Sequence, residues 1–384
     1  MKKTYWFITA TLVLLFFLCG VGNTLAQGLP FITKWECKKG KEVPIPIVGT
    51  YKMLITDANG KVKVYETVTV ADADNPYIFM PTEDGIYTVT AGPEGIEYFR
   101  TMYKFRDFKE LIEVVQFGTV EWKSMEFAFL RCERMNFAAN IDNPNLSKVS
   151  SMNNMFSYCR AFNHSLAGWD VSHVTDMCAM FSDCTSFNQS LEGWDVSNVT
   201  DMSQMFYGCT SFNQSLAAWK IKTVVGSLGK TAMSVENYSK TLVGWAEWAK
   251  EANIRDIHFG DNVKGLVYNA KGKAARAELI KLGWTFDDDI EQTFEVMLVQ
   301  PEHGTLTIEG YTTETLKKVS DETELTITAT TTEEGYEPKE IQVNGKKIAG
   351  KTFRVTGEAK VTAVFEKKNN QPTPPTPPTP QPNP

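Results

Sequence analysis

Met152-x-x-Met155-Phe156-x-x-Cys159 returns as Met177-x-x-Met180-Phe181-x-x-Cys184 and as Met202-x-x-Met205-Phe206-x-x-Cys209. Behind each copy come Phe-Asn, Leu and Trp: Phe162, Asn163, Leu166 and Trp169; Phe187, Asn188, Leu191 and Trp194; Phe212, Asn213, Leu216 and Trp219. The period is 25 residues. A unit this short cannot bury its own apolar face, so copies are expected to stack and share a core. Met, Met and Phe at i, i+3 and i+4 predict a short helix opened by Thr175-Asp176 or Thr200-Asp201. Phe-Asn-Gln-Ser-Leu predicts a short strand. Asn163, Asn188 and Asn213 predict an asparagine ladder whose amides satisfy backbone groups at a bend. The expected fold class is mixed α and β: a short solenoid of 25-residue units flanked by two small all-β domains.

Outside the repeats, Met125, Phe129 and Cys132 form a degenerate copy, with two residues inserted near Asn140–Pro144. Residues 27–105 predict a β-sandwich, with a hairpin at Asn59-Gly60 and a turn at Asp84-Gly85. Residues 106–290 predict the repeat region and its helical C-terminal cap. Ser239–Glu251 and Lys271–Leu282 would be helices, and Trp284-Thr285-Phe286 a closing strand. Residues 291–368 predict a separate small β domain with a hairpin at Asn344-Gly345. From 369 to 384 the chain is a proline-rich tail that cannot build a core.

Residues 1–26 read as a signal peptide: Lys2 and Lys3, an apolar run from Trp6 to Cys19, and Thr24-Leu25-Ala26 at the cleavage site. The alternative is lipidation at Cys19, where bulky Leu18 precedes the cysteine. The expectation is therefore export, to the extracellular space or the cell surface. No later segment is apolar enough to span a membrane. The net charge of −7 speaks against nucleic acid, which calls for a basic patch. Six cysteines remain after Cys19. Cys132, Cys159, Cys184 and Cys209 hold equivalent repeat positions, which predicts a column of buried free thiols; Cys37 and Cys178 have no evident partner.

No catalytic, cofactor-binding or metal-binding residues are assigned, and the expectation is a non-enzyme. His164 and His173 take places filled by Gln189, Gln214 and Asn198 in other copies. His258 and His303 stand alone. The sequence holds no Gly-x-Ser-x-Gly and no His-Glu-x-x-His. Asp170, Asp195, Asp176 and Asp201 recur, yet lack the glycine pattern of calcium β-rolls, and turn or cap roles account for them. Glu83-Asp84 and Asp287-Asp288-Asp289 are acidic pairs and runs of the kind found solvated in loops. Trp169, Trp194 and Trp219 recur among apolar neighbours, which favours core packing over a sugar-stacking platform.

With Trp-Asp-Val-Ser-x-Val-Thr-Asp-Met in view, residues 150–220 resemble the repeats of BspA-type leucine-rich-repeat bacterial surface proteins, a repeat also found in mycoplasma surface lipoproteins. Phe31-Ile32-Thr33-Lys34-Trp35 resembles that family's mature start. Asp84-Gly85-Ile86-Tyr87-Thr88-Val89 resembles its PKD-like N-terminal β domain. Tyr268-Asn269 through Trp284-Thr285 resembles its closing segment, and residues 292–367 are similar to β-repeats of bacterial surface proteins. The resemblance implies a secreted or cell-surface adhesin or protein-binding scaffold, with a host extracellular matrix protein such as fibronectin as partner. A carbohydrate- or mucin-binding module is the alternative, and an unrecognised hydrolase comes third. The chain departs from the pattern in having three clean copies, and in Lys220 where Asp170 and Asp195 stand earlier.

Overall fold

A computed structural model describes residues 28–368; the leader read at 1–26, Cys19 within it and the tail at 369–384 lie outside the described residues. The described residues divide into two compact units, which part between Ile290 and Glu291.

The first unit begins with β1 (Phe31–Cys37), whose alternation sends Phe31, Thr33, Trp35 and Cys37 inward. β2 (Val43–Ile45) pairs with β5 (Tyr77–Phe79). β3 (Ile47–Thr56) and β4 (Val62–Val70) form the hairpin expected at Asn59-Gly60. There Asp57 Oδ1 accepts the N–H groups of Asn59 and Lys61 at 3.0 and 2.9 Å. With β6 (Gly85–Ala91), β7 (Ile96–Phe99), β8 (Leu111–Gln116) and β9 (Asn136–Phe137), these strands make a seven-stranded sheet in the order β4-β3-β6-β1-β8-β9, with β7 also on β3. β9 already belongs to the degenerate copy, so sheet and repeats share one core. Phe99 meets Phe129 at 5.3 Å and Phe117 meets Trp169 at 5.7 Å between ring centroids. The inserted residues near Asn140–Pro144 serve this junction. Asp142 reaches back and accepts the N–H groups of Phe117 and Gly118, each at 2.7 Å.

The repeats correct the expected fold class. The structure is mostly β-sheet with two α-helices among the described residues, and a leucine-rich-repeat solenoid is not what forms. Between Phe137 and Leu228 no helix and no extended strand occurs; the copies are built of turns, joined by single parallel bridges at Ser151, Asp176 and Asp201. Neither the helix read at Met-x-x-Met-Phe nor the strand read at Phe-Asn-Gln-Ser-Leu is present.

The reason lies in two left-handed residues per copy. Counting from the first Met, the residues two and six places on have positive φ. They are Phe127 and Arg131, Asn154 and Tyr158, Ala179 and Asp183, and Gln204 and Gly208. A left-handed residue ends any α-helix, and for residues other than glycine it costs about 1–2 kcal/mol. What it gains here is direction. The N–H groups of Met152, Asn154, Phe156 and Tyr158 donate to the carbonyls of Asp176, Cys178, Met180 and Ser182 at 2.7–2.9 Å. Those of Met177, Ala179, Phe181 and Asp183 donate to Asp201, Ser203, Met205 and Tyr207. Intervening N–H groups close four-residue turns, as Met155 does on Met152 and Ser157 on Asn154. Each copy is thus a rung hydrogen-bonded along its length to the next.

Side chains repeat the same logic. Phe156, Phe181 and Phe206 stack at 5.7 and 5.9 Å, and Trp194 on Trp219 at 6.5 Å. Trp194 and Trp219 donate Nε1–H to the carbonyls of Leu166 and Leu191 at 3.1 and 2.8 Å. The thiols of Cys159, Cys184 and Cys209 donate to the carbonyls of Phe129, Phe156 and Phe181. The asparagine ladder forms: Asn163 Oδ1 accepts Asn188 N–H at 2.9 Å and Asn188 Oδ1 accepts Asn213 N–H at 2.8 Å.

Two helices close the pile. α1 (Val235–Ala252) is capped by Ser234 and buries Tyr238, Leu242, Trp245 and Ala249 along one stripe. Gly244 is required there, because a Cβ would stand 2.2 Å from the Ala217 carbonyl oxygen. α2 (Ala270–Lys281) is capped by Asn269. Trp284–Phe286 contributes only a single bridge, Thr285 to His258, in place of the strand read there.

The second unit is built from short strands. Ala359–Lys367 runs parallel to Val296–Leu298 and antiparallel to Tyr336–Val343. Gly304–Ile308, Glu324–Thr331 and Thr352–Arg354 form a second sheet. Asn344 and Gly345, with φ of 50° and 76°, make the two-residue turn expected of them. The core holds Leu306, Ile308, Leu325, Ile327 and Val361 among others, whereas Val364 faces outward.

Candidate functional site

The residues that recur most regularly are committed to the frame. Trp169, Trp194 and Trp219 are at most 4% exposed, which leaves no aromatic platform among them. Asp170 Oδ1 accepts Ser172 N–H and Oγ–H at 3.1 and 2.7 Å, and Asp195 Oδ1 accepts Ser197 N–H at 3.0 Å. Asp176 and Asp201 bind the N–H groups of Cys178 and Ser203 in the same way. These are turn contacts. The Ser172 hydroxyl, then its N–H, hold the Asp170 carboxyl below the ordinary carboxylate range, and Ser197 does so for Asp195. No cluster of His, Cys, Asp or Glu suited to a metal ion occurs among the described residues.

Asp170, Ser172 and His173 invite comparison with a hydrolase triad. Ser172 Oγ lies 2.7 Å from Asp170 Oδ1 and 3.0 Å from His173 Nδ1. The order is wrong for nucleophilic attack. The serine gives its one proton to the carboxylate and can only accept from the imidazole, so no base activates it. The other histidines stand apart. His164 contacts the Ser165 carbonyl, His258 the Thr285 hydroxyl, and His303 lies on Tyr336 beside Glu333. Glu83 and Asp84 are ion-paired with Lys63 and Lys38. Asp288 pairs with Lys264, and the Asp289 carboxylate is buried against Arg276 and the Tyr238 hydroxyl.

The thiols are poor nucleophiles. The six cysteines among the described residues are free, and five are buried. Burial pushes Cys37 and Cys209 up to about 12 and drives Cys132, Cys159 and Cys184 upward as well. Cys178 is half-buried, and burial followed by the nearby Asp201 and Asp176 raises it too. Each therefore stays a thiol at neutral pH.

What remains outward is side-chain surface on the rungs. On the return segments a shallow open depression of about 500 Å³ is lined by Ser172, His173, Thr175 and Asn198. Asn198 Nδ2 donates to the Ser172 carbonyl at 2.8 Å, and Thr175 Oγ1 to that of Ser150 at 3.2 Å. On the Met-x-x-Met-Phe side, half-buried Phe127 and Tyr158 each carry a guanidinium over the ring: Arg100 at 5.0 Å and Arg131 at 4.9 Å from the centroids. Arg131 is also paired with Asp107 at 3.1 Å. Tyr207 is 50% exposed on the same side. Sequence reading passed over Arg131 and Tyr158. The signal available was the copy-to-copy change at that position, Arg131, Tyr158, Asp183, Gly208, beside constant core columns.

Residues 123–245 are similar to a family described as Mycoplasma protein of unknown function, DUF285. The match takes in the degenerate copy, the three clean copies and the start of α1. No curated protein and no solved structure matches the chain. Among the described residues no helix is long and apolar enough to cross a membrane.

Proposed function

We propose that this chain is an exported, non-enzymatic surface protein that presents its rungs to a protein partner, in the manner of BspA-type surface adhesins. The observation that supports this reading is the division of labour within each copy. Most recurrent side chains fill the core, close a turn or bond to an adjacent copy, so the weight of function falls on the non-recurrent outward positions. A frame with its backbone polar groups satisfied rung by rung also holds those positions at fixed spacing, which lowers the ordering cost of binding. The match of residues 123–245 to a Mycoplasma family of unknown function, DUF285, is compatible with this reading.

A host matrix protein such as fibronectin is the partner to test first. Immobilised fibronectin, laminin and collagen should retain the full chain saturably; binding to none of them would refute the matrix reading. A second reading, a carbohydrate-binding surface, is favoured by the open depression at Ser172, His173, Thr175 and Asn198, whose lining residues each carry a hydrogen-bonding group. A glycan array probed in parallel separates the two. Saturable glycan binding that His173→Ala abolishes, without protein binding, would select the second.

A further inference from the structure

We draw no further inference here: the strongest candidate, the exposed threonine face of the sheet formed by Gly304–Ile308, Glu324–Thr331 and Thr352–Arg354, carries none because nothing in the structure shows what covers it.

Discussion

The rungs at 150–224 and the β unit at 291–368 reach buried cores by opposite routes. The β unit uses ordinary strands with alternating side chains, and its backbone can be read from the pattern of Leu306, Ile308, Leu325 and Ile327. The rungs have no helix and no extended strand, yet Met155, Phe156, Cys159, Phe162 and Leu166 are all 0% exposed. The comparison teaches that periodicity reports which side chains are buried, and reports the backbone only when a standard element has that period. In the rungs the stabilising contacts run between copies 25 residues apart, whereas the β unit relies on strand pairing within a small sheet.

Substitutions in the two regions sharpen that contrast. Trp194→Ala removes a ring that is 3% exposed, stacked on Trp219 and bonded to the Leu166 carbonyl. It should cost about 3–5 kcal/mol. Denaturant unfolding followed by tryptophan fluorescence measures this, and the loss should fall on the first unit. Ile327→Ala, at a fully buried strand position, should cost about 2–4 kcal/mol. That loss should appear only in amide signals from 291–368. A loss spread equally over both units in either variant would break the contrast.

A smaller effect concerns acid. Asp170 and Asp195 have folded-state carboxyls below the ordinary value of 3.8, held there by Ser172 and Ser197. Stability from a lowered carboxyl is fully present above the unfolded value and is lost as pH falls through the folded one. The native chain should therefore lose more stability between about pH 6 and about pH 3 than the D170N/D195N chain does. Urea midpoints at the two pH values check this. Equal slopes for the two chains would show that these turn carboxylates do not couple to folding.

Much of the burial was legible. The Met, Phe, Cys and Trp columns, the asparagine ladder, both Asn-Gly hairpins and helices near 235–252 and 270–281 follow from residue pattern and turn chemistry. The rung backbone was not legible. Met, Met and Phe at i, i+3 and i+4 suit a helix and a chain of four-residue turns equally. The residues at the breaking points, Ala179, Gln204 and Phe127, carry no preference for a left-handed conformation. The role of Asp142 was hidden for a related reason, since its partners Phe117 and Gly118 are distant in sequence. Nothing in the motif marked Arg131 and Tyr158, because a motif records what repeats and these positions do not.

Residue-resolved amide hydrogen exchange over 152–183 tests the rung architecture most directly. Met152, Asn154, Phe156 and Tyr158, and then Met177, Ala179, Phe181 and Asp183, should be strongly protected by bonds to the next copy. Asn153 and Cys178, which bond only to neighbouring side chains in their own turns, should exchange fast. Uniform protection across 152–159, as a helix would give, or no protection in either copy, would contradict the ladder.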